Sequence, residues 1–268
     1  MYCNMRVKEI LKKSLNIRSY VIVLYLVYCM VPSYIYAASG DDVIWKKANN
    51  FYVQKQYDSA EYYYNVLLKK YPENAMIRYN MGNVSFRLNK VGAAVLHYQK
   101  AALLDPGNKE IKDNLLLAKG RIQNPVPEAA PIFFVRWWNG LLQVFNTDTW
   151  AIITFIAFLL VLGLVWYARV KRERFAHAGR WLSLSVVCLI ICACMTWFTH
   201  ESFANSDMAV VLEPSVNLLE APRVSGKVLG ALPEGTVIEV HIEEGKFMNV
   251  KLPNGREGWI LSSSVEKV

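Results

Sequence analysis

Residues 150–168 read WAIITFIAFLLVLGLVWYA and residues 181–200 read WLSLSVVCLIICACMTWFTH; neither run holds an Asp, Glu, Lys or Arg. Each is close to the ~20 residues that a helix needs to cross the hydrocarbon core of a bilayer. A helix satisfies its own backbone hydrogen bonds, so lipid tolerates it where it tolerates no other open segment. Trp150, Trp166, Tyr167, Trp181 and Trp197 stand near the ends, the depth that amphipathic rings prefer. A helical hairpin buried in a large soluble core would need more covering chain than the other residues supply. Spans are therefore expected at residues 149–169 and 181–200.

The turn between them sets the orientation. Arg169, Lys171, Arg172, Arg174 and Arg180 crowd around residues 170–180, opposed only by Glu173. Short loops rich in Lys and Arg stay in the cytoplasm, so the segments before and after the hairpin are expected on the outer side. Toward the start, Arg6, Lys8, Lys12, Lys13 and Arg18 precede an apolar stretch at 20–31 and the small residues Ala37, Ala38 and Ser39. That order is a secretory signal peptide over residues 1–38, with an uncleaved signal anchor as the alternative. Tyr28 stands before Cys29 where a lipoprotein site wants a small residue, so lipidation is not expected.

A formal charge of +8 suggests nucleic acid only if it is gathered on one face. Here residues 1–38 and the basic turn carry +4 each, which targeting and topology account for. Residues 41–121 hold 13 bases against 8 acids, and residues 201–268 hold 6 against 10. No phosphate-binding surface emerges, and nucleic acid is not expected as a partner. Of the five cysteines, Cys3 and Cys29 lie in the leader and Cys188, Cys192 and Cys194 in the second span. The outward segments therefore do not depend on disulfides. Cys188 and Cys192 are one helical turn apart, a spacing open to metal or redox chemistry; packing as small apolar residues is the reading taken. His97, His177, His200 and His241 are scattered, and no nucleophile motif, metal-ligand spacing or phosphate loop accompanies them. No enzyme, metal or cofactor is expected.

Residues 41–122 overlay on themselves with a shift of 34. Ala48 matches Gly82, Ala60 matches Ala94, Tyr64 matches Tyr98, Leu67 matches Ala101 and Pro72 matches Pro106. The small residues let antiparallel helices approach, the tyrosines fill the space between helix pairs, and each proline ends a second helix. These landmarks resemble the tetratricopeptide repeat (TPR), an α-solenoid of the same period. A further helix near residues 108–121, with Leu115, Leu116 and Leu117, reads as the cap. Lys47 and Ser85 depart from the repeat's pattern, so the first helix is expected to pack loosely.

A stack of such pairs leaves its first helices lining a concave groove. By TPR analogy the partner-binding positions are Trp45, Asn49, Tyr52, Tyr79, Asn80, Asn83, Phe86 and Arg87, with Asn114 on the cap. Asn amides can hold a peptide backbone, rings its side chains, and Arg87 a carboxylate. Asn80 and Asn83 also match the repeat's general consensus, so the fold alone can account for them.

Residues 123–147 form a linker. QNPVPEAAP (123–131) is expected to be extended and semi-rigid. Phe134, Trp138, Leu141 and Phe145 then recur at helical spacing beside Trp137 and Arg136. That pattern reads as an interfacial helix on the outer leaflet, or one docked on the cap.

Residues 207–268 alternate apolar and polar in five strand-like runs, parted by Pro233-Glu234-Gly235, Glu244-Gly245 and Pro253-Asn254-Gly255. Five short strands in about sixty residues suggest a small closed all-β barrel. The LPEGTVIEV run and the Gly258-Trp259 pair resemble the bacterial SH3-like family, in which Trp259 would pack on the barrel. That family often binds peptides or cell-wall material after its first strand. Leu219-Glu220-Ala221 replaces the usual Arg-Ser-Gly there, and Phe247 stands where a Trp is common.

The whole order resembles the BatE-type TPR proteins of the Bacteroides aerotolerance (Bat) group. The resemblance implies a two-pass inner-membrane scaffold with both soluble modules in the periplasm. Its implied partners are other Bat proteins and, indirectly, a MoxR-type ATPase, in aerotolerance, oxidative stress or envelope integrity. Membrane lipid is a further expected partner. The alternative is a cell-wall anchor or sensor whose SH3-like domain binds peptidoglycan.

Overall fold

The structure is a computed structural model and describes residues 40–128, 132–142, 144–171, 175–204 and 207–268. The signal peptide expected at 1–38 and residues 172–174 of the basic turn lie outside the described residues. Five helices follow in antiparallel succession: α1 (Gly40–Val53), α2 (Tyr57–Lys70), α3 (Ala75–Arg87), α4 (Val91–Leu104) and α5 (Lys109–Lys119).

Their punctuation repeats with the period of the sequence. Lys55 and Asn89, 34 residues apart, take left-handed backbone conformations at φ 61° and 60° where α1 turns into α2 and α3 into α4. Asn74 caps α3 by accepting from the Ile77 amide at 3.0 Å. Asn108 caps α5 by accepting from the Glu110 and Ile111 amides. Such side chains satisfy amides that the first turn of a helix leaves unpaired.

The small positions are buried to the last atom: Ala48, Ala60, Ala94 and Ala101 expose nothing. Lys47 points its ammonium over the Tyr63 ring instead of into the core, and Trp45 and Phe51 pack on Tyr64 and Tyr63 of α2. Ser85 is fully buried, and its hydroxyl has no partner.

Helix α6 (Phe133–Leu142) precedes two long helices, α7 (Thr147–Lys171) and α8 (Phe175–Ala204). Both long helices are of a length and composition able to cross a membrane, and few residues of either apolar stretch are fully buried. They pack on one another and share a hydrogen bond between the Thr154 and Thr196 hydroxyls at 3.0 Å. Cys192, Met195 and Thr199 form the buried face of α8, while Ile152, Leu160, Leu184 and Trp197 stay exposed. Exposed apolar surface of this kind marks a region that other material covers.

The aromatic stripe is shorter than the spacing suggests, because α6 stops at Leu142. Phe145 sits in the following turn and packs edge-on against Trp150 at 5.5 Å. Trp138 packs on Phe198 of α8, not on the cap helix. Phe133, Phe134 and Trp137 remain exposed.

The C-terminal module has seven strands among the described residues, not five: β1 (Met208–Val211), β2 (Ser215–Leu219), β3 (Val228–Pro233), β4 (Val237–Glu244), β5 (Phe247–Lys251), β6 (Glu257–Leu261) and β7 (Val265–Lys267). β2 is hidden in sequence because Pro214 and the polar Glu220 crowd its ends, and β7 is only three residues long. The antiparallel order is β3-β2-β6-β5-β4-β1-β7. No ladder joins β3 to β7 among the described residues, so the sheet wraps its core without closing. That core holds Val211, Leu218, Ile238, Val250 and Ile260. Gly235, Gly245 and Gly255 all have positive φ at the three expected turns, a conformation that glycine adopts freely. Gly258 has a different reason: a Cβ there would come within 2.7 Å of the Leu218 side chain.

Residues 43–268 form one compact unit, and its two soluble parts meet at α4. No side chain of its own caps α4. The Glu234 carboxylate from the β3–β4 turn does so, accepting from the Gly92 amide at 2.6 Å. Lys100 pairs with Glu266 at 2.7 Å, and Val210 joins the apolar cluster around Tyr98. The linker is not a free spacer: Val126 packs against the sheet core, and Ile122 lies against Gly235.

Candidate peptide-binding groove

The nine positions expected to line the groove divide into two sets. Asn49 and Asn83 face inward. The Tyr64 hydroxyl donates to Asn49 Oδ1 at 2.5 Å, and the Tyr98 hydroxyl donates to Asn83 Oδ1 at 2.7 Å. Each pair is separated by 15 residues, so this is the same bond made twice by the repeat. Burial pushes the Tyr64 phenol up to about 12, with Tyr52 adding to it. The Tyr98 phenol is raised too, first by burial and then by Tyr79 and Tyr52. Both hydroxyls therefore act as neutral donors.

Asn114 extends the second pair by donating to Tyr79 Oη at 2.9 Å and to Asn83 Oδ1 at 3.1 Å. Tyr79 also packs on Tyr98, with ring centroids 6.0 Å apart. Trp45 packs edge-on against Tyr64 at 5.9 Å. Asn49, Asn83, Asn114 and Tyr79 thus tie helices together with polar atoms already engaged, and Trp45 adds ring packing.

The other four positions are Tyr52, Asn80, Phe86 and Arg87. Arg87 is exposed, and hydrogen bonding to Tyr52 holds its guanidinium above the usual range. Tyr52 packs edge-on against Tyr57 at 5.5 Å, and Asn80 is half-buried. Phe86 carries a residue that sequence reasoning missed. The Arg121 guanidinium lies 3.6 Å above the Phe86 ring and donates to the Phe86 carbonyl at 3.1 Å.

Arg87 and Arg121 both oppose the rise of the Tyr98 phenol, more weakly than burial promotes it. Arg121 follows α5 in a segment read only as a cap, where no spacing points to a ligand. The barrel's polar contacts with the array go to α4, through Gly92, Gln99 and Lys100. The first helices α1 and α3 keep Tyr52, Asn80 and Arg87 accessible. Among the described residues, no cluster of His, Cys, Asp or Glu is arranged to hold a metal.

Residues 214–266 match the bacterial SH3 domain family. No curated protein matches the chain. Among solved structures, a crystal structure of MamA protein is similar at 12% identity and a TM-score of 0.30, covering 63% of this chain and 96% of that one. At that score the likeness does not define the fold. The bacterial SH3 domain is a non-catalytic kind of module, and no enzyme family is indicated.

Proposed function

We propose that this chain is a membrane-anchored scaffold that gathers partner proteins through the first-helix face of its helical array. The observation that carries the reading is a pair of cations each set beside a ring, Arg121 over Phe86 and Arg87 hydrogen-bonded to Tyr52. Two guanidinium forks beside rings suit an extended segment with a carboxylate, from an acidic side chain or a C-terminus. The bacterial SH3 domain supplies a second contact, and joining both to one hairpin raises the effective concentration of their ligands.

The basic turn around residues 170–180 supports a topology with both modules outside the inner membrane. The order of segments supports a place in a Bat-type complex with a MoxR-type ATPase. In-membrane crosslinking tests the groove: Arg87→Ala with Arg121→Ala should reduce partner recovery several-fold, and unchanged recovery would sink the reading. Asn49 and Asn83 are poor choices for that test, since their loss would orphan buried tyrosine hydroxyls.

A second reading, a cell-wall anchor, draws on the SH3 match and on the loop after β2, where Arg223 and Val224 are exposed. Co-sedimentation of the full chain with purified peptidoglycan, and its loss in Arg223→Glu, would favour the anchor over the scaffold.

A further inference from the structure

Between the array and the ends of the two long helices lies a cavity of about 390 Å³. Leu103 and Leu115 of the array line it together with Leu142 and Phe145, giving it an apolar share. Gln99 and Lys112 supply polar groups on the array side, and Asn139 of α6 supplies one opposite. Thr147 opens α7 and Thr199 lies near the end of α8; both line the space. On the proposed topology that places the cavity at the outer head-group level.

The array end is braced there: a Cβ on Gly107 would stand 3.0 Å from the Val144 carbonyl. The space is thus shaped by rigid elements, as ligand sites are.

Gln99 is engaged through its Nε2, 3.8 Å from the Met208 sulfur, and its Oε1 is closed off from the cavity. The Lys112 ammonium has no acidic partner among the described residues. A cation beside an adjoining apolar wall describes a phosphodiester that carries a hydrocarbon tail.

We propose that this cavity holds the head group of an outer-leaflet glycerophospholipid. Lys112 meets the phosphate. The acyl side leaves past Leu142 and Phe145 toward the spans. A water-soluble phosphodiester offers the same polar chemistry but leaves the apolar wall bare. The proposal rests on the membrane reading above.

The test titrates full-length protein in an uncharged detergent with dihexanoyl-phosphatidylglycerol and, separately, with glycerophosphoglycerol. Native mass spectrometry and thermal unfolding follow binding. The lipid should bind saturably and raise Tm, and the soluble diester should not. Lys112→Ala should weaken lipid binding roughly tenfold, Lys112→Arg should largely restore it, and Ala102→Phe should fill the cavity and abolish it. Lys112 is only half-buried, so its variants keep the test sound even where Ala102→Phe fails to fold. Wild-type lipid affinity in Lys112→Ala, or a full response to the soluble diester, would overturn the site. Alkaline carbonate extraction reads anchorage separately: a chain retained in membranes yet indifferent to the lipid refutes the cavity alone.

Discussion

Replacing Gly82 by Ala tests whether the array is held by the close approach of α3 and α4. A Cβ at Gly82 would lie 2.6 Å from both Cδ1 and Cε1 of Tyr98. Ordinary carbon contacts need about 3.5–4.0 Å, so the ring must retreat by about 1 Å. It has little room, being 2% exposed, and its hydroxyl is tied to Asn83 at 2.7 Å. Overpacking of this kind costs about 1–3 kcal/mol, and loosening the hydrogen bond adds about 1 kcal/mol. Against this, Ala gains about 1 kcal/mol of helix propensity over Gly. The net loss should be about 2 kcal/mol, a fall in Tm of roughly 4–8 °C for a unit of this size. Gly140→Ala is the control, because a Cβ there meets nothing within 4 Å and only the propensity gain remains. Thermal unfolding of the full chain in detergent reads both. A double-mutant cycle with Tyr98→Leu should recover much of the Gly82→Ala loss. If Gly82→Ala is as stable as wild type, or costs the same once the Tyr98 ring has been replaced, the packing account is wrong.

At the junction, Glu234→Ala removes the cap of α4 and should cost about 1–2 kcal/mol; hydrogen exchange at the Gly92 amide, which Glu234 protects, should accelerate, and unchanged exchange would refute the cap. Gly92→Ala should pry the sheet from the array, since its Cβ would meet the Val211 carbonyl at 2.8 Å, visible as easier proteolysis between the modules. The mostly buried His97 is pushed down to about 3 by desolvation first, then by Arg78 and Lys100. Unfolded, it protonates near pH 6.5, so the unfolded chain binds more protons between these values. Its contribution to stability is therefore complete above about pH 6.5 and lost as pH falls toward about 3. His97→Gln should flatten that part of the Tm–pH curve relative to wild type, and parallel curves would count against it. Val126→Asp should detach the linker from the sheet core at a cost of about 1–3 kcal/mol, measured as greater protease sensitivity of residues 123–128.

The periodic parts of this fold were legible from residues alone because local physics sets them. Two uncharged runs of membrane length make long helices with uncovered apolar flanks. A 34-residue rhythm of small residues, tyrosines and prolines reappears as five helices. Glycines at three turns take positive φ whatever surrounds them. Strands β2 and β7 escaped notice because short segments with polar ends are stabilised by their neighbours in the sheet, not by their own pattern.

Spacing nominated nine positions for a candidate groove, but spacing cannot tell a free amide from one engaged by a tyrosine 15 residues away, as Asn49 and Asn83 are. Arg121 and the contact between Glu234 and Gly92 were beyond reach for a related reason. Residues 35 and 142 apart in the chain become partners only when helices and sheet stack, and no local periodicity encodes that meeting. The sequence by itself determined the repeat helices, the two candidate spans and five of the seven described strands. The tertiary structure decided which polar groups are already paired and which remain for a ligand, because hydrogen bonds between distant segments exist only after packing.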